Sequence, residues 1–212
     1  MRDITTSKEK LLKKIRQALL EKRDNPYPNL ETLPMYPPAP EDLDLMFAEE
    51  FSAVQGQFAF CEDEVDFIAV LLELAEKRSW RKIYCWEPAL QEVLNRYEYP
   101  FFETDKDFTQ AEVGITLCEA LVARNGSIMV SSGQLAGRRL SIYPEVHIVL
   151  AYTSQLVPDL KDGFALIKKK YNGNIPSMIS NITGPSRTAD IEKTLVLGAH
   201  GPKELLVFLL EG

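Results

Sequence analysis

Cysteine is scarce: Cys61, Cys85 and Cys118 stand far apart, with no C-x-x-C pair and no Cys/His group among them. An iron–sulfur cluster needs closely grouped thiolates, so this spacing argues against a cluster held by the chain itself, and no metal-ligand spacing is present. An odd number of thiols in apolar surroundings reads as structural cysteine in a reducing compartment. Histidine is scarcer still, with His147 and His200 only. No apolar stretch approaches the roughly 18 residues that a membrane span requires. The first twenty residues carry charges throughout, without the apolar core of a signal peptide, so the expectation is a cytoplasmic protein. Excess positive charge is missing too: 31 acidic residues face 24 basic ones, a formal net charge of −7. That field repels phosphate backbones and anionic bilayers, which excludes nucleic acid as a natural first partner. Neither the phosphate loop of nucleotide hydrolases nor the dinucleotide fingerprint occurs.

What is present is enough apolar residue, 45% of 212, to bury a sizeable core. Residues 6–23 place Leu11, Leu12, Ile15, Ala18 and Leu19 at helical spacing, with Thr6 or Ser7 as N-cap. Six prolines between Pro26 and Pro40 then make an extended connector. The expected organisation is an N-terminal helix with a proline-rich linker over 1–40, followed by one α/β domain over 41–212.

Within that domain strands and helices alternate. A helix over 41–55 precedes the strand QFAFCE, and a helix follows with Val65, Ile68, Leu72 and Ala75 on one face. The strand RKIYCW leads to a helix opened by Pro88, and YPFFE reads as a strand again. This alternation predicts a largely parallel sheet with flanking helices. Further on, EVGIT and ALVARNGSIMVSS are short strands, the second folded at Asn125-Gly126 into a type I′ hairpin. EVHIVLAY is another strand, and the following helix turns Leu160, Phe164 and Ile167 inward. Its terminal Lys168, Lys169 and Lys170 read as a solvated end that suits the helix dipole. Residues 194–198 and 203–209 close the domain as the last two buried strands of the sheet.

Polar chemistry gathers before and between those two runs, in TGPSRTADIE and GAHGP. Ser186 or Thr188 can cap a short helical turn, and free backbone N–H groups, hydroxyls and Arg187 together suit a carboxylate or phosphate. Arg187 and Asp190 pairing with each other or with Glu192 is the structural alternative. His200, flanked by glycines, can act as acid, base or ligand or equally cap a strand end, whereas His147 sits in an apolar strand and reads as a core or edge residue. The loop SSGQLAGRRLSIYP adds Arg138 to a possible anion site. The candidates are thus Thr183, Gly184, Ser186, Arg187, Thr188, Gly201 and Arg138 for binding, and His200 and Asp190 for catalysis.

The stretches VGITLCEALVARNGSIMVSS, YPEVHIVL and above all GPSRTADIE…LVLGAHGP resemble the LUD family of lactate utilization proteins, over roughly residues 60–212. The resemblance implies a fold similar to the sugar-phosphate isomerase, CoA-transferase and folate cyclo-ligase group. It also implies a role in oxidising L-lactate to pyruvate beside iron–sulfur partner proteins that hold the redox centres, with no cofactor in this chain. A stand-alone enzyme on a phosphorylated or CoA-linked metabolite, or a structural adaptor, is the alternative. By the same resemblance Gly126 joins the binding candidates and Glu119, at a position where relatives often carry an acid, joins the catalytic ones. Relatives usually have an acidic residue and a threonine before the hairpin glycine, where this chain has Arg124 and Asn125.

Overall fold

In the computed structural model the described residues are 6–20, 36–136, 139–189, 195–198 and 200–212. The chain divides into two units, Met1–Pro38 and Ala39–Gly212. In the first, α1 (Ser7–Leu20) starts at Thr6, whose Oγ1 accepts from the Glu9 N–H at 3.3 Å while the Glu9 carboxylate accepts from the Thr6 N–H at 2.8 Å. This reciprocal pair satisfies two donors at the helix start. Most of the proline-rich connector, 21–35, lies outside the described residues.

The second unit is built on a parallel five-stranded sheet. Its strands are β1 (Gln57–Cys61), β2 (Ile83–Cys85), β3 (Val113–Thr116), β6 (Val146–Tyr152) and β11 (Glu204–Leu210), in the order β1-β11-β6-β3-β2. Because both faces of such a sheet are covered, its strands are apolar in both directions, as in the fully buried VGIT of β3. One face carries α3 (Glu64–Arg78) and α4 (Pro88–Arg96), with Phe67, Leu71, Leu90 and Leu94 packed on Ile115, Ile148 and Phe208. α3 is capped by Asp63, which accepts from the Asp66 N–H, and it ends at Ser79 in the left-handed conformation. The face it buries is Phe67, Ile68 and Leu71; Val65 and Leu72, expected to point inward, are exposed.

The opposite face meets α2 (Leu43–Ala53) and a second sheet, ordered β7-β4-β5-β8. Its strands are β4 (Ala120–Val122), β5 (Ser127–Ser131), β7 (Leu156–Val157) and β8 (Ile179–Ile182). Phe47 and Phe51 of α2 stack at 5.2 Å and fill the space between Leu121, Ile128, Val149 and Val207. α5 (Leu160–Lys170) covers the far side of that sheet through Ile167, with Gly163 against Met129; Leu160 and Phe164 are exposed, contrary to expectation.

Three local readings change. The β4–β5 hairpin forms, but Ala123–Asn125 make a 3₁₀ turn and only Gly126 takes positive φ, so the turn is not type I′. YPFFE contributes a single bridge from Phe102 to Tyr84 instead of a strand. β10 (Leu195–Leu197) pairs antiparallel with β9 (Arg187–Ala189) in a separate two-stranded ribbon, so of the last two apolar runs only β11 belongs to the main sheet. Residues 187–189 form a strand, and residues 190–194, through which the helical turn was expected to run, lie outside the described residues. Among the described residues no helix is long and apolar enough to cross a membrane.

Candidate functional site

Sequence-predicted residues meet in a cleft of about 170 Å³ before the amino end of β11. Gly184, Ser186, His200 and Gly201 line it, with Ser141 and Ile142 from the loop before β6. Two backbone bonds bring the segments together: Ser186 N–H to Pro202 O at 2.8 Å and Gly198 N–H to Ser186 O at 2.9 Å. Gly201 permits the approach, since a Cβ there would lie 3.0 Å from the Ser186 Cβ. The exposed imidazole of His200 and the Ser186 hydroxyl supply donors, while Pro185, Pro202 and Leu205 supply apolar wall.

Other candidates are employed elsewhere. The Arg187 guanidinium donates through Nη2 to the Val54 carbonyl at the end of α2. Gly184, at φ +81°, lets the chain pass that same carbonyl, which would lie 2.3 Å from an added Cβ. Thr183 Oγ1 bonds Ser127 Oγ at 2.7 Å. Gly126 lies against α2, where a Cβ would fall 2.3 Å from the Phe51 nitrogen. Thr188 falls on β9; Asp190 and Arg138 lie outside the described residues.

Glu119 belongs to a different constellation, at the carboxyl end of β3. Its Oε1 accepts from Ser131 Oγ at 2.5 Å and from Tyr171 OH at 2.7 Å, and its Oε2 accepts from Lys170 Nζ at 2.7 Å. The Glu119 side chain is fully buried, whereas that of Lys170 is 55% exposed. Partial burial opposes the ammonium charge, yet the hydrogen bond and charge of Glu119 together raise the Lys170 pKa. Lys170 is therefore bound into a polar network and not merely a solvated helix end. Gln134 extends the network: its Oε1 accepts from Ser131 N–H at 3.0 Å, and its Nε2 reaches Glu87 Oε1 at 3.3 Å. Glu87, at the N-cap of α4, accepts from the Leu117 N–H at 2.6 Å. Burial pushes the Glu87 carboxyl up to about 7, with Leu117 and Lys170 opposing and the charge of Glu119 adding. Sequence reasoning missed Glu87; its one signal was an acid between the apolar strand IYCW and Pro88.

His147 is a core residue, as read. It is wholly buried, its Nε2 lies 2.8 Å from Thr116 Oγ1, and burial holds its pKa down at about 3. Among the described residues no group of three or more His, Cys, Asp or Glu is arranged to hold a metal.

Comparison with known proteins decides the family. Residues 45–210 match the LUD domain. This chain belongs to the LUD domain family. Lactate utilization protein C of Bacillus licheniformis is 38% identical over 104 residues, 48% of this chain and 43% of that protein. The Bacillus subtilis protein of the same name is 38% identical over 110 residues, 51% of this chain and 46% of its own length. The matched segments thus span less than half the length of these relatives. A crystal structure of a DUF162 family protein from Deinococcus radiodurans superposes with a TM-score of 0.57 at 17% identity, over 82% of this chain and 99% of that one. It shares the α/β fold predicted from the alternation of elements. Against this family background Arg124 has a structural partner: its Nε donates to Asp159 Oδ1 at 2.5 Å, tying the hairpin to the N-cap of α5.

Proposed function

We propose that this LUD domain chain serves lactate utilization as a cytoplasmic subunit without a cluster of its own. It works with iron–sulfur partner proteins that carry the electrons when L-lactate is oxidised to pyruvate. One observation carries the reading: similarity at 38% identity to proteins named lactate utilization protein C. The cleft at Ser186, His200 and Gly201 takes a small carboxylate, the hydroxyl and imidazole donating to its oxygens and the proline and leucine walls excluding water behind them. Scattered, buried cysteines agree with clusters held by the partners.

The test is growth. A strain lacking the gene is expected to fail on L-lactate as sole carbon source and to recover with the wild-type copy. Tagged protein is expected to retain iron–sulfur proteins on purification. Normal growth of the deletion strain on L-lactate overturns the proposal. For the cleft, L-lactate and pyruvate are expected to raise the melting midpoint of the wild type and not of the Ser186→Ala/His200→Ala variant.

A further inference from the structure

α1 is a helix without a buried residue. Leu11, Leu12, Ile15 and Leu19 lie along one side of it, between 41% and 78% exposed. Isolated helices of fewer than roughly 15 residues are marginal in water, and the packing of an amphipathic face is what holds them. The charged positions of α1 are mainly basic: Lys8, Lys10, Lys13, Lys14 and Arg16 against Glu9, a net +4. With −7 on the whole chain, everything outside α1 carries −11. α1 is therefore matched to an acidic partner, whereas two copies of it repel each other.

The α/β unit carries such a surface on α3. Val65, Ala69 and Leu72 make a narrow apolar stripe on the outward side of that helix, with Val65 54% and Leu72 44% exposed. Asp66, Glu73 and Glu76, all exposed, stand beside the stripe and at its end. The apolar pair exposed on α5, Leu160 and Phe164, stands among Lys161, Lys168 and Lys169 instead, which repel a basic helix. Spacing then selects a register. Read backwards along α1, Leu19, Ile15, Leu12 and Lys8 are separated by 4, 3 and 4 positions; read forwards along α3, so are Val65, Ala69, Leu72 and Glu76. Antiparallel helices in that register bring three apolar levels together and set an ammonium beside a carboxylate.

We infer that α1 of one copy packs antiparallel on α3 of a second copy, with Leu12, Ile15 and Leu19 against Val65 and Leu72, and Lys8 beside Glu76. The second copy offers the same two faces, so the exchange is reciprocal and closes as a two-fold dimer. Residues 21–42, at no more than about 3.5 Å each, give the helix a reach of up to roughly 75 Å, ample to cross to a neighbour. This dimer does not depend on the role in lactate utilization.

Sedimentation equilibrium of the full chain, from low to high micromolar concentration, tests this. Wild type is expected to reach twice 24.0 kDa and to dissociate as salt is raised. Leu12→Gln/Ile15→Gln, which keeps a good helix former at both positions, is expected to stay at 24.0 kDa. Lys8→Glu alone and Glu76→Lys alone are each expected to raise the dimer dissociation constant about tenfold, since the pair is made twice, and the two combined to restore it. A wild-type monomer at every concentration overturns the proposal; if that monomer sediments with vesicles containing phosphatidylglycerol, the helix face belongs to a bilayer instead. A dimer unmoved by Leu12→Gln/Ile15→Gln overturns it too, as does a charge exchange that fails to restore association.

Discussion

Gly126 and Gly173 make a matched pair for measuring how closely α2 sits on the hairpin. Both are in the left-handed region, at φ +57° and +85°. A Cβ on Gly173 would meet nothing within 4 Å, whereas one on Gly126 would lie 2.3 Å from the Phe51 nitrogen and 2.5 Å from the Glu50 carbonyl carbon. Gly173→Ala therefore reports the conformational cost alone, about 1 kcal/mol after the gain from a stiffer unfolded chain. Gly126→Ala carries that cost and a contact about 1 Å short of van der Waals distance, against helix backbone that has no rotamer to yield. α2 would have to lift Phe47 and Phe51 out of the core, so about 2 kcal/mol more is expected. In urea denaturation, with a slope of about 2 kcal/mol/M, the Gly126→Ala midpoint should lie about 1 M below that of Gly173→Ala. Equal midpoints would refute the packing role and return Gly126 to the list of ligand contacts.

Two further expectations concern titration and thiol chemistry. His147 and Glu87 bend stability with pH in opposite senses. His147, depressed from 6.5 to about 3, destabilises the fold as pH falls below about 6.5, because only the unfolded chain binds the proton. Glu87, raised from 4.5 to about 7, stabilises the fold as pH falls from 7 towards 4.5. The two slopes, each about 1.4 kcal/mol per pH unit, cancel where they overlap. Relative to wild type, Glu87→Gln should lose stability on acidification from pH 6.5 to 5 and His147→Gln should gain it, by denaturant titration at each pH; parallel curves would refute both assignments. All three cysteines are buried; burial pushes Cys85 up to about 12 and raises Cys61 and Cys118 as well. A thiol reagent at pH 8 should then modify none before unfolding and three after it; fast labelling of the native protein would contradict that burial.

The frame of the domain was legible because a parallel sheet buried on both sides writes itself as apolar runs separated by amphipathic helices. QFAFC, VGIT, VHIVLAY and ELLVFLL all appear where those runs predict strands. The facing of α3 was not legible, since Val65 and Leu72 form as plausible a stripe as Phe67 and Leu71, and only the sheet chooses between them. The ribbon of β9 and β10 was missed for a related reason: Leu195–Leu197 is apolar enough for the core but takes Arg187–Ala189 as its partner. Half of the candidate chemistry was visible. GPSR and GAHGP do converge, since two backbone bonds join neighbouring loops. The network around Glu119 was hidden because Lys170 lies 51 residues away in sequence and carries the ordinary signature of a helix end.

The strand order has a consequence for synthesis on the ribosome. The one strand that pairs with β1 among the described residues is β11, which also forms the second side of β6. Gln57 and Glu204, whose side chains bond at 2.9 Å, are 147 residues apart. A nascent chain must therefore carry β1, α3 and the inner edge of β6 with apolar surface uncovered until β11 emerges. Early collapse can organise β2, β3 and β6, but the sheet closes late, by insertion of one strand between two that are already waiting.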